Sequence, residues 1–198
     1  MIHASKILVI VGSTRSRRIC PDVAQWIAQI GRDTIATPIE VVDLKDWSLP
    51  MDDEPGIPAG GGPYANPHTT AWSEKIASAR GFVFVAPQYN WGYPAALKNA
   101  LDHLFNEWVN KPAMVVSYGS RGGNHCVAQL RQVIHGLDMR NIRTSPRLRY
   151  SRKLMEANTG SVDAAKEFAA HRASVAQGFR ELERALTGNP VKRLFGWF

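Results

Sequence analysis

The sequence predicts a doubly wound α/β domain, a five-stranded parallel sheet with helices on both faces. Three observations carry that expectation. Short, continuous apolar runs rich in β-branched residues recur along the chain, as strands buried on both faces require. Segments with helical apolar spacing fall between these runs. Strand and helix alternate until five strands are reached, the pattern of a parallel sheet with crossover helices.

The first strand is Lys6-Ile7-Leu8-Val9-Ile10-Val11, stopped by Gly12. Pro21 then opens a helix in which Val23, Ile27 and Ile30 share a face, with Gly31 at its expected end. Ile39 to Leu44 reads as the second strand, Thr70 to Ala79 as a helix and Gly81 to Ala86 as the third strand. A helix from Pro94 to about Trp108 places Leu97, Leu101, Leu104, Phe105 and Trp108 along one stripe. Pro112 to Tyr118 is the fourth strand, Asn124 to Leu137 its crossover helix and Asn141 to Tyr150 a weaker fifth strand. Val162 to Leu186 reads as one long helix with Phe168, Val175, Phe179, Leu182 and Leu186 on its seam. Between Lys45 and Pro67, five prolines and Gly60-Gly61-Gly62 exclude a regular element. A loop of this length is either a lid over a site or a disordered excursion.

With 198 residues, 44% apolar and 21% charged, the chain fits one domain, expected over residues 1–188 with a basic and aromatic tail at 189–198. Cys20 and Cys126 have no CxxC or Cys/His partner spacing, so neither a disulfide framework nor a zinc site is indicated. The apolar run Ile7 to Val11 is too short for a signal-peptide core or a membrane span, and a cytoplasmic protein is expected. The formal charge of +7 favours anionic partners. Nucleic acid is not expected among them, because the basic residues are dispersed and no recognition motif accompanies them. The tail could dip into a membrane surface, but one short segment gives no stable anchoring.

In open α/β sheets ligands sit outside the carboxyl ends of the strands, where strand order reverses. Three loops there are unusual. Gly12-Ser13-Thr14-Arg15-Ser16-Arg17-Arg18 offers hydroxyls, guanidinium groups and free N–H groups at a helix start, a phosphate cradle without the Walker A lysine. Its alternative is a plain cap by Ser13 or Ser16 with solvated arginines. Pro87-Gln88-Tyr89-Asn90-Trp91-Gly92-Tyr93-Pro94 places aromatics able to flank a flat ring and Asn90 able to bond its heteroatoms, or else simply packs at a turn. Tyr118-Gly119-Ser120-Arg121-Gly122-Gly123 lets backbone approach a ligand, or is a plain glycine turn. In the flavodoxin-like strand order 2-1-3-4-5 the three parent strands are neighbours, so the loops converge.

At these residues the chain resembles the NADPH-dependent FMN reductase family, which includes NAD(P)H:quinone reductases and some azo- and chromate-reducing enzymes. The matching elements are Gly12-Ser13-Thr14-Arg15, Asp53-Glu54-Pro55, Ala71-Trp72-Ser73, Pro87-Gln88-Tyr89-Asn90, Leu97-Lys98-Asn99-Ala100-Leu101-Asp102 and Ser117-Tyr118-Gly119. The resemblance implies a flavodoxin-like homodimer holding FMN. It places Ser13 and Arg15, with Arg17 or Arg18, at the phosphate. Pro87, Gln88, Tyr89, Asn90 and Trp91 fall around the isoalloxazine, and Tyr118, Gly119, Ser120, Gly122 and Gly123 near its far edge. It further implies ping-pong turnover in which NAD(P)H reduces the flavin and leaves before a quinone or similar small acceptor enters. No side-chain general acid is expected, since the flavin N5 carries the hydride. Gln88 stands where the family usually has Glu, which removes a negative charge beside the ring. The competing expectation is a flavin-binding electron carrier or redox sensor without NAD(P)H turnover. His68, His103, His125, His135 and His171 show no metal-ligand spacing and are expected in surface or capping roles. Cys20 is expected as a small buried hydrophobe rather than a redox group.

Overall fold

The computed structural model describes residues 6–51 and 54–187. Strands β1 (Lys6–Val11), β2 (Ile39–Asp43), β3 (Ala79–Pro87), β4 (Pro112–Gly119) and β5 (Arg140–Asn141) form one parallel sheet in the order β2-β1-β3-β4-β5. This is the doubly wound order that the sequence predicts. Alternate strand residues feed two cores. Ile7, Val9, Val11, Val83, Val85, Met114 and Val116 pack with α1 (Cys20–Thr34) and α7 (Arg172–Thr187). Leu8, Ile10, Phe82, Phe84, Ala113 and Val115 pack against the opposite layer, α2 (Pro67–Ala77), α3 (Ala95–Asp102) and α4 (Asn124–Gly136). Each of these side chains larger than alanine, buried from water, contributes about 1.5–3 kcal/mol before entropy is counted.

Four expectations change. Gly31 does not end α1 but lies inside it, where a Cβ would fall 2.3 Å from Ile39 Cδ1 and 2.6 Å from Phe179 Cζ. The glycine is there because α1 meets α7 and β2 at that point. The helix expected to reach Trp108 stops at Asp102, yet Leu104 and Trp108 remain 1% exposed. The chain turns back on itself, Trp108 Nε1 donates to Leu101 O at 3.1 Å, and the indole packs edge-on to Phe82. The fifth strand is broken: β5 is followed, after an irregular stretch, by β6 (Arg147–Arg149), which also pairs with β4. Pro146 precedes β6, and its carbonyl accepts the Ser117 N–H at 3.1 Å. The long last helix divides into α6 (Ala164–Glu167), a 3₁₀ turn and α7, with buried Phe168 at the break.

The segment from Lys45 to Pro67 is neither a lid nor a loose excursion in its described residues. Asn99 Nδ2 donates to Leu49 O and Pro50 O, and Asn106 Nδ2 to Pro58 O. Tyr64 and Ser73 both donate to the Glu107 carboxylate, and Trp47 meets Trp72 edge-on at 4.8 Å. This strap lies against α2 and α3. Asp53 of the matched Asp53-Glu54-Pro55 element and the 189–198 tail lie outside the described residues.

Candidate functional site

A crevice of about 300 Å³ opens at the carboxyl ends of β1, β3 and β4. Its first wall comes from the loop after β1. Gly12 N–H donates to Val85 O at 2.9 Å, and a Cβ there would meet that oxygen at 3.0 Å, so the loop leaves the sheet in close contact with β3. Ser13 is fully buried and its hydroxyl shares a 2.9 Å hydrogen bond with the Tyr89 hydroxyl. The Arg15 guanidinium lies over the Tyr89 ring, 3.6 Å from its centroid. Such cation–π contact is worth roughly 0.5–1 kcal/mol at an exposed site. Two loops 76 positions apart are thereby joined through one tyrosine.

Arg18 does different work. Its Nη2 pairs with Asp43 Oδ2 and its Nη1 donates to Arg15 O at 3.0 Å, which ties the loop to the end of β2. Its Nε is buried with no hydrogen-bond partner among the described residues. Helix α1 begins behind it at Ile19, which has no capping side chain, and Pro21 supplies no N–H. An unsatisfied guanidinium donor and an uncapped helix amino end beside exposed Arg15 and Arg17 fit a phosphate well.

The second loop is a tight reverse turn. Tyr89 N–H donates to Gly92 O at 2.9 Å and Gly92 N–H to Tyr89 O at 2.8 Å. Asn90 and Trp91 between them take φ of 46° and 71°. Positive φ is strained for a residue as bulky as tryptophan. Trp91 is 67% exposed and stacks flat on His125, with ring centroids 4.2 Å apart and 4° between planes. Gln88 points elsewhere: its side-chain oxygen accepts the N–H groups of His125 at 3.0 Å and Cys126 at 3.3 Å. It therefore caps α4, whose Gly123 cap position has no side chain to do so.

In the third loop Gly122 and Gly123 adopt φ of 81° and 74°. A Cβ on Gly123 would stand 2.2 Å from the buried Ser117 Oγ, so this glycine is fixed by the turn itself. Gly119 has no such constraint, its nearest neighbour being Gln88 Cβ at 3.5 Å. Tyr118 is buried at the strand end, and burial, then its Cys20 neighbour, pushes its phenol well above the ordinary value. The Cys20 thiol donates to Val85 O at 3.3 Å. Burial raises it to about 11, opposed by the Tyr118 hydrogen bond, so it stays a neutral thiol.

Arg15, Arg18, Pro87, Gln88, Tyr89 and Tyr118 thus come together as lining of one crevice. Ser13, Asn90, Trp91, Gly119, Ser120, Gly122 and Gly123 are not part of this lining: Ser13 is buried against Tyr89, Asn90 and Trp91 sit in the turn after Tyr89, and the other four follow Tyr118 in the third loop. The opposite wall escaped sequence reasoning. Tyr150, Leu154, Met155, Asn158 and Gly160 supply it from the end of β6 and the short helix α5 (Arg152–Ala157). The strand-end rule pointed there, since Tyr150 follows the last strand. No group of three or more His, Cys, Asp or Glu able to hold a metal occurs among the described residues.

Comparison with known proteins bears on the family and the fold. A model of the NADPH-dependent FMN reductase family matches residues 5–148. The chain is 48% identical over 190 residues to an NAD(P)H-dependent FMN reductase of Schizosaccharomyces pombe, covering 95% of this chain and 94% of that one. It is 30% identical over 147 residues to a quinone reductase of Escherichia coli, covering 70% and 73% of the two chains. In fold it is similar to FerB, a flavoenzyme NAD(P)H:(acceptor) oxidoreductase from Paracoccus denitrificans. That match has a TM-score of 0.69 at 21% identity and covers 91% of this chain and 98% of that one.

Proposed function

Because this chain belongs to the NADPH-dependent FMN reductase family, we propose that it holds FMN in the strand-end crevice, takes a hydride from NAD(P)H and passes two electrons to quinones or similar small acceptors. The observation that carries this reading is the junction of Ser13, Arg15 and Tyr89 beside the uncapped start of α1. It puts an anion cradle and an aromatic wall in one crevice. When bound, FMN supplies the hydride-accepting ring, so the protein's part is to bind, orient and shield it.

Arg15, Arg17 and the free N–H groups at the start of α1 would hold the phosphate, with Arg18 as the brace that positions them. Ser13 is committed to Tyr89 and acts on the phosphate only if that bond opens. Tyr89, Pro87 and Tyr118 would line the ring, and Trp91 with His125 forms a flat, exposed rim against which an incoming acceptor ring can lie. The turn at Gly119, Ser120, Gly122 and Gly123 would lie near the ring's far edge, with the Gly122 N–H kept within the turn by Gly119 O.

Steady-state quinone reduction tests the enzyme reading. With FMN present, double-reciprocal lines at several NADPH concentrations are expected to be parallel, as for a nucleotide that leaves before the acceptor binds. Absence of turnover with either nucleotide would make the protein a flavin carrier instead.

One domain spanning residues 1–188, a cytoplasmic location and a homodimer complete the reading. No helix among the described residues is long and apolar enough to cross a membrane. The apolar stripe from Pro94 to Trp108, expected to build part of the dimer, gives it no support, because Leu97 and Leu101 on α3 and Leu104 and Trp108 beyond it are buried within the chain itself. Among the described residues, Met51 and Ile57 are large apolar side chains left exposed away from the crevice lining. Light scattering at micromolar concentration is expected to return twice the chain mass, and a monomer mass would end this part of the account.

A further inference from the structure

The positive charge is less dispersed than composition suggests. Arg140, Arg143, Arg147, Arg149, Arg152 and Lys153 fall in one short stretch that holds no Asp or Glu. Some are engaged: Arg140 donates to Asn110 O at 2.8 Å, and Arg152 pairs with Glu156 at 2.7 Å. Arg149 and Lys153, joined by Lys166 of α6, instead line a second cavity of about 640 Å³ at the end of β6. None of these three forms an ion pair with another described residue. Each of the two carboxylates in the same cavity accepts one backbone N–H. Asp163 accepts the Lys166 N–H at 3.1 Å, and Glu167 accepts the Ser151 N–H.

This cavity adjoins the crevice, since Tyr150 and Leu154 line both. A nucleotide whose nicotinamide lies on a flavin held in the crevice can therefore extend a charged end here. We infer that the second cavity is a phosphomonoester subsite that receives the 2′-phosphate of NADPH and so favours NADPH over NADH. The inference rests on the reading of the crevice as the flavin site. Sites that prefer NADH offer a free carboxylate to the ribose 2′-hydroxyl, whereas an arginine accommodates the 2′-phosphate. Here Asp163 and Glu167 each accept a backbone N–H, three cations face these two carboxylates, and Arg149 has no ion pair with a described residue. Its planar fork suits a phosphate dianion, with Lys153 and Lys166 as supporting point charges.

Calorimetric titration of the FMN-loaded full chain with 2′,5′-ADP, 5′-AMP and inorganic phosphate tests this. 2′,5′-ADP is expected to bind about tenfold tighter than 5′-AMP, the sum of two or three exposed charge contacts. Inorganic phosphate is expected to compete only weakly. In the Arg149→Ala/Lys153→Ala double variant the two nucleotides should bind alike. The KM for NADPH should then rise about tenfold while that for NADH moves less than about twofold. Arg149→Lys should retain part of the preference. Equal affinity for both nucleotides in the wild type, unchanged affinities in the double variant, or competition by inorganic phosphate as strong as by 2′,5′-ADP would each overturn the subsite. Failure of both NADPH and NADH to reduce bound flavin would instead sink the functional reading beneath it.

Discussion

Arg15→Ala is expected to weaken FMN binding roughly tenfold to a hundredfold while leaving riboflavin binding within about fivefold of wild type. The two flavins share the isoalloxazine and the ribityl chain and differ only in the phosphate. A charge-assisted hydrogen bond to that phosphate is worth about 1.5–3 kcal/mol, and only FMN can lose it. Arg15 also covers the Tyr89 ring. Its removal uncovers that wall for both flavins, an effect of roughly 0.5–1 kcal/mol that bounds the riboflavin change. Isothermal titration with each flavin gives the ratio, and thermal denaturation checks that the variant is folded. Equal losses for both flavins, or none, would put the phosphate elsewhere.

The structure gives this test its sharpness by separating the three arginines of one loop. Arg18 is braced between Asp43 and the Arg15 carbonyl, so removing it would disorder the cradle as well as discharge it. Arg15 is exposed and bears no ion pair with a described residue, so its loss leaves the loop's tethers at Gly12 and Arg18 in place. From sequence alone Arg17 and Arg18 were interchangeable. Only the long-range contact to Asp43, 25 positions away, tells them apart.

Other parts of the molecule divide in the same way between local and distant causes. The strands were legible because both faces of the sheet are buried, which forces continuous apolar runs such as Ile7 to Val11 and Phe82 to Ala86. The crevice was legible because the ligand-bearing loops follow those strands. Gly31 was misread because a glycine near a helix end is usually a stop signal. Here it is demanded by Ile39 and Phe179, neighbours that the spacing inside α1 cannot reveal. Periodicity likewise ran past Asp102, because Leu104 and Trp108 keep helical spacing while packing through a turn. Gln88 lines the crevice, but that its oxygen also caps a helix 37 positions further on could not be read from spacing. The wall from Tyr150 to Gly160 shows no apolar period, because its one short helix, α5, buries no residue. Asn158 at φ 42° and Gly160 at φ 84° make it an irregular surface segment, which only its place after the last strand could have flagged.

The central claim is that this crevice holds FMN for reduction by a pyridine nucleotide, and the visible spectrum of the FMN-reconstituted protein under anaerobic conditions tests it most directly. One equivalent of NADPH should bleach the flavin bands completely, because two electrons reduce one FMN, and a stoichiometric quinone should restore them. In the proposed placement, a ring beside Tyr89 and Tyr118, with its phosphate at Arg15, would keep one face free for nicotinamide and acceptor in turn. The account predicts bleaching and recovery in the wild type, with the same cycle in Arg15→Ala only at FMN concentrations raised to offset its weaker binding. A protein that binds FMN yet keeps its full absorbance with both NADPH and NADH would contradict it.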